Sequence, residues 1–178
     1  MVVLTAPYVD PNSVHVPSVG GTPPASWGTT LRGNGETLAR PPGAVIARSA
    51  TQSISNEAWN TVAFTSADER DTDAYHSTVT NPSRVTIPAG LGGWYDIGGF
   101  FSFTSHSTGN RIVQLLLNGV GTVYQSIWTG AVANGQTMPM VPLQLVAGDY
   151  LEWQVYQNSG GALNLTVARA WARLVAWP

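Results

Sequence analysis

The chain contains no cysteine and no lysine. Without cysteine there is no disulfide framework, no thiolate zinc site and no cysteine nucleophile. All eight basic residues are arginine, which suits planar and interfacial pairing better than lysine does. Charge is scarce too. Asp, Glu, Lys and Arg make up 10% of the 178 residues, against about a quarter in ordinary soluble domains. The net charge of −2 gives no basic field to hold nucleic acid. No stretch approaches the roughly 20 apolar residues of a membrane span, so no membrane insertion is expected. The opening "MVVLTAPYVDPNSVHVP" has neither a charged n-region nor a long apolar run, so a secretory signal is not expected and synthesis in a cytoplasm is.

Chemistry is equally thin. There is no G-x-S-x-G, no H-E-x-x-H and no Walker loop. "GNGETL" has too few glycines for a nucleotide fingerprint and follows no strand, so it reads as a loop. His15, His76 and His106 lie far apart in loop-like contexts and read as surface or turn residues. No enzyme activity and no cofactor are expected. The acidic run "SADERDTDAYH" is the one metal candidate. Asp68, Asp71 and Asp73, with Glu69 among them, offer hard oxygen ligands of the kind calcium takes, but the run lacks the glycine and terminal glutamate of an EF-hand. The alternative is a solvated loop in which Asp71 or Asp73 caps a turn and pairs with Arg70 or Arg84.

What is abundant is proline at one end and β-pattern everywhere else. Residues 1–43 hold Pro7, Pro11, Pro17, Pro23, Pro24, Pro41 and Pro42, and cannot build a sheet or core of their own. "PPASWGTTLRGNGETLAR" inside them has helix start signals at Pro24 and Ser26 and spaced apolar residues at Trp27, Leu31 and Leu38. It reads as a short helix over about 25–39 whose three apolar residues are candidates for anchoring the chain to a particle. Residues 44–178 form the second unit. Strands are expected over 44–50, 61–66, 83–88, 93–105, 111–119, 121–130, 137–148, 149–159 and 163–177, separated by "NPS", "AGLGG", "STGN", "NGVG", "ANGQ", "AGD" and "NSGG". Many short strands without a helical period mean an all-β sandwich or barrel. Gly98-Gly99 inside the longest run predicts a bulge or bend.

The order of these signals carries a resemblance. "GGWYDIGGFFSF" precedes "RIVQLLLNG", then comes "VPLQLVAGDYLEWQVYQ", and a final strand ends the chain. Gly93, Tyr95 and Ile97, then Asn118 and Gly119, then Leu145, Gly148, Asp149 and Leu151 match the markers of the tumour necrosis factor and complement globular-head jelly roll. The runs "DTDAYHSTVTNPSRVTIPAGLGGWY", "STGNR" and "QNSGGALN", with "PASWG" and a Pro-Pro linker upstream, resemble jelly-roll structural proteins of actinobacterial tailed bacteriophages. The resemblance implies a two-sheet antiparallel jelly-roll sandwich behind a proline-rich arm. It also implies a homotrimer. On a virion surface such a protein serves as a capsid decoration protein bound by its arm to the major capsid protein. The alternative is a minor tail or receptor-binding protein whose head binds host-surface glycan and whose neighbours are tail proteins.

Seven Trp, six Tyr and four Phe exceed what one small core needs, and aromatics favour interface centres. Tyr95, Tyr150, Trp153 and Tyr156 are the candidates facing a threefold axis, with Glu152 beside them. Arg169, Trp171 and Arg173 alternate along the last strand. They form an exposed platform, a buried row, or an intersubunit strip that pairs with Glu152 or Asp149. Trp94 and Trp128, near turns, are candidate glycan platforms; otherwise they are core.

Overall fold

The computed structural model describes residues 40–129 and 135–177. Among the described residues eleven strands follow one another: β1 (Gly43–Arg48), β2 (Gln52–Ile54), β3 (Asn60–Thr61), β4 (Arg70–Asp71), β5 (Arg84–Thr86), β6 (Gly93–Phe103), β7 (Asn110–Leu117), β8 (Val120–Thr129), β9 (Gln136–Leu145), β10 (Tyr150–Gln157) and β11 (Leu163–Ala176). The first sheet has the order β4-β1-β11-β6-β9, with β2 also on β11. The second runs β3-β10-β7-β8, with β5 also on β10. Every named pairing is antiparallel. This is a jelly-roll sandwich. The expected helix over 25–39, with Trp27, Leu31 and Leu38, lies outside the described residues.

Alternation makes the core. In β10, Leu151, Trp153 and Val155 are each fully buried, while the residues between them face out. In β11, Ala168, Ala170 and Ala172 turn inward with no exposed surface. Small side chains there leave interior volume for large ones such as Trp153, Phe64 and Phe101. Phe64 meets Trp153 edge-on, with centroids 5.7 Å apart. Gln157, at the end of β10, is also buried, but each end of its amide has a partner. Its Nε2 donates to the carbonyls of Ile54 and Gly161, and its Oε1 accepts from Ser159.

Three differences from the sequence pattern have local causes. The expected strand over 61–66 follows β10 only as far as Val62, whose N donates to Trp153 O at 2.9 Å just past the pairs at Asn60 and Thr61. Val62 and Phe64 keep their inward alternation, but Phe64 N donates to Pro82 O and Ser66 N to Ala47 O, so the backbone leaves the ladder for other partners. The acidic run contributes β4, because Arg70 lies opposite Val45 and Asp71 opposite Ala44. The β-unit also begins before residue 44. Pro42 O accepts from Leu174 N at 2.9 Å, and Pro41 O accepts from the Arg70 guanidinium. The bulge expected at Gly98-Gly99 is present as a register shift against β9 between Ile97 and Gly99.

Candidate functional site

The outer face of the first sheet is built around β11. Its strand period places Arg169, Trp171 and Arg173 outside, opposite the inward alanines. Register then assembles a row across the sheet: Arg70 opposite Val45, Val45 opposite Trp171, Trp171 opposite Gly98. The indole of Trp171 lies directly over Gly98. A Cβ there would stand 2.3 Å from Trp171 Cζ2, so only glycine seats the ring. Val45, Trp171 and Met140 line an open groove of about 440 Å³ on this face, bordered by Arg70, Asp96, Arg169 and Arg173.

Two of the three border arginines are paired with acids within the sheet, and Arg70 donates to the Pro41 carbonyl. Arg169 Nε donates to Glu69 Oε1 at 2.8 Å in a two-pronged pair, and Arg173 Nη2 lies 3.7 Å from Asp96 Oδ2. These side chains are about half exposed apart from Asp96, so each pair contributes little to stability, about 0–1 kcal/mol. An apolar centre with a polar, arginine-rich rim has the composition of an association surface. Within the protomer Arg169 and Arg173 take Glu69 and Asp96, while Glu152 sits on the other side of the sandwich and Asp149 in the turn between the two sheets.

On that other side, Glu152 Oε1 accepts from Arg84 Nε at 3.1 Å and from Ser83 Oγ at 3.1 Å. The same guanidinium lies 4.0 Å from the centre of the Tyr150 ring, a cation–π contact. Tyr156 packs against Trp59. The candidate trimer residues therefore separate into three groups. Arg169 and Arg173 are on the outside of one sheet; Tyr150, Glu152 and Tyr156 are on the outside of the other. Tyr95 and Trp153 have no exposed surface and belong to the protomer's own core, which removes them as contacts to a second copy.

Tyr95 has an internal role. Its hydroxyl donates to Leu91 O at 2.5 Å and stands 2.9 Å from the hydroxyl of Tyr75. With the Tyr95 proton committed to Leu91, Tyr75 is the donor in that pair. Burial pushes the Tyr95 phenol up to about 12 and moves Tyr75 higher still, where the bond to Tyr95 adds to the rise.

The acidic run does not converge on a cation. Asp71 Oδ1 accepts from Tyr75 N at 2.9 Å and Oδ2 from His76 N at 3.0 Å, so this carboxylate caps a turn. Asp73 accepts from Thr72 Oγ1, and Asp68 Oδ1 meets His76 Nδ1 at 2.8 Å. Among the described residues no three acids or histidines are arranged to hold a metal ion. The turn-cap reading replaces the calcium reading, with a change of partners: Arg70 goes to Pro41 O and Arg84 to Glu152 instead of to Asp71 or Asp73. His76, read as a surface residue, has a fully buried ring, because Asp68 and the Pro82 carbonyl engage its two nitrogens.

Trp94 is 43% exposed on β6. The Trp128 side chain lies outside the described ones. The aromatic that the pattern did not single out is Trp59, and the signal that finds it is its position one residue before a strand that pairs beside Tyr156.

No family model and no curated protein sequence matches the chain. Solved structures do. The globular domain of zebrafish complement 1qA shares 16% identity over 77% of this chain and 99% of its own, with a TM-score of 0.55. Eiger TNF from S. frugiperda shares 14% over 77% and 94%, at a TM-score of 0.48. Murine APRIL shares 14% over 74% and 99%, at 0.49. At such identity the likeness establishes the fold alone: the described residues form a jelly roll like that of the complement globular domain.

Proposed function

We propose that the chain is a non-enzymatic structural protein of a bacteriophage virion. In this reading a homotrimer of jelly-roll heads decorates the capsid, and the proline-rich segment before residue 43 fastens it to the major capsid protein. The observation that carries the assembly half is the Trp171-centred face of the first sheet. It joins an apolar groove to an arginine-rich rim, and the chain enters the sheet beside it at Pro41 and Pro42. The virion half rests on the runs around Tyr75, Asn110 and Asn158 and on the upstream "PASWG" motif. Prolines lower the entropy lost when such a segment docks, and three segments per trimer multiply a weak contact.

Two measurements test this. Light scattering of the purified chain should give three copies, and Trp171→Ala should weaken that assembly; a monomer at micromolar concentration rejects the assembly face. Deleting residues 1–39 should leave the oligomer intact while abolishing binding to particles. Electron cryo-microscopy of the virion then decides between shell lattice and tail. The second reading, a tail protein whose head binds host-surface glycan, is favoured by aromatic side chains left exposed at Trp59 and Trp94.

A further inference from the structure

The outer face of the second sheet is ordered in cross-strand rows. Tyr156 lies opposite Ile112, and Ile112 opposite Ile127. Trp59 extends this row beyond β10 by packing on Tyr156, with ring centroids 5.5 Å apart and planes tilted by 47°. The row is not sealed: Trp59 is 40% exposed and Ile127 57%.

The neighbouring row, about 7 Å away along the strands, is made of amides and hydroxyls. Gln154 lies opposite Thr61 and Gln114, and Gln114 opposite Gln125. Gln114 Nε2 donates to Gln154 Oε1 at 2.7 Å, and Gln154 Nε2 donates to Thr61 Oγ1 at 3.2 Å. Thr122 Oγ1 donates to Gln114 Oε1 at 3.0 Å. These bonds fix how the amides point without exhausting them. A primary amide has two N–H donors and two acceptor lone pairs, so the half-buried Gln154 retains capacity for a ligand, while buried Gln114 serves to position it. Gln125, at the end of the row, is exposed. Beyond it, Arg84 and Glu152 neutralise each other at 3.1 Å.

An apolar strip beside an uncharged hydrogen-bonding strip asks for a ligand with the same two sides. A pyranose ring has them: a face of C–H groups and a rim of hydroxyls that both donate and accept. The absence of an uncompensated charge in these rows disfavours an anionic ligand, since neither phosphate nor carboxylate would find a free cation. A protein partner with an apolar surface would bury the amide row without satisfying it, stranding donors and acceptors that water had served. Hydroxyls would satisfy them.

We infer that this face is a binding site for a neutral saccharide chain, with Trp59 and Tyr156 stacking on its C–H faces, Gln125 and Gln154 engaging its hydroxyls, and buried Gln114 holding the Gln154 amide in place. The inference rests on the glycan-binding reading above but moves the site from Trp94 and Trp128 to the opposite sheet from Trp94. It also leaves the Trp171 face free for assembly.

Native affinity gels of the full chain containing galactomannan, arabinogalactan or β-glucan test it. At least one polysaccharide should retard the protein. Trp59→Ala should weaken retardation about tenfold, the loss expected when one stacked aromatic is removed. Trp59→Phe should restore most of it, and equal urea midpoints for the unaltered and Trp59→Ala proteins separate lost stacking from a folding defect. Gln125→Ala, a change confined to an exposed side chain, should weaken binding as well. Trp94→Ala should leave it unchanged. If Trp94→Ala abolishes retardation and Trp59→Ala does not, this site is rejected while glycan binding stands. If none of the polysaccharides retards the unaltered protein, both are rejected.

Discussion

Asn118 Nδ2 donates to Asp149 Oδ1 at 2.8 Å, and Asn118 Oδ1 accepts from the backbone of Tyr150 at 2.9 Å. One side chain thus ties the β7–β8 hairpin turn to the turn that carries the chain from the first sheet to the second. Asn118 and Gly119 both have positive φ, at 55° and 70°, as a tight hairpin requires. Asp149 also accepts from Val146 N at 2.8 Å, closing its own turn. Asn118→Ala should therefore destabilise the head by about 2 kcal/mol, from two lost hydrogen bonds and a strained left-handed residue. Asn118→Gly should cost less, because it relieves the backbone. Urea midpoints of the two variants check the order, and equal losses would mean that φ at residue 118 is not strained by alanine.

The tyrosine pair makes an asymmetric prediction. Tyr75→Phe removes one donor and leaves the Tyr95 bond to Leu91 intact, so it should cost about 1 kcal/mol. Tyr95→Phe strands both the Leu91 carbonyl and the Tyr75 hydroxyl, and should cost about twice that. The pair also sets an alkaline limit. Both phenols are raised in the folded state, Tyr95 to about 12, whereas the unfolded chain ionises near 10. Above that unfolded value the unfolded state holds fewer protons, so the pair's contribution to stability is fully present below about pH 10 and falls as pH rises toward 12. The slope is about 1.4 kcal/mol per pH unit for each tyrosine. Urea unfolding across that window measures it, and Tyr75→Phe should roughly halve it.

Gly98 and Trp171 should be coupled. Gly98→Ala forces the indole off its seat and should cost about 1–3 kcal/mol. In a Trp171→Ala background the same alanine meets no ring and should cost much less. A double-mutant cycle gives the difference. Additive effects would show that the ring does not rest on Gly98.

The sandwich was legible because its signals are local. Alternation in "YLEWQVY" and "ARAWARL" assigns each residue to a face, and Gly98-Gly99 marks the bulge. Partners across the sheets were not legible. Whether Arg84 meets Asp71 or Glu152 depends on β5 docking on β10, a choice of strand order that no short stretch encodes. The same holds for the second-sheet rows. Trp59, Tyr156 and Ile112 share a row only through register between segments 44 and more residues apart, and Gln114 and Gln154 are 40 residues apart. Tyr95 and Trp153 looked interfacial because they are aromatic. Composition counts aromatics without saying which side of a strand they take.

The two outer faces should respond differently to changes of charge. Arg173 is half exposed and loosely placed against Asp96, so Arg173→Glu disturbs the protomer little, within about 0.5 kcal/mol. On the Trp171 face, however, it sets two acids side by side and adds like charges wherever copies meet, so assembly should weaken markedly in light scattering, and more at low salt than at high. Glu152 is the reverse case. Its carboxylate is 12% exposed and holds both Arg84 and Ser83, so Glu152→Ala should lower protomer stability by about 1–2 kcal/mol and leave the number of copies unchanged. If Glu152→Ala dissociates the oligomer while Arg173→Glu does not, assembly runs through the second sheet, and the saccharide face proposed there is covered by another copy.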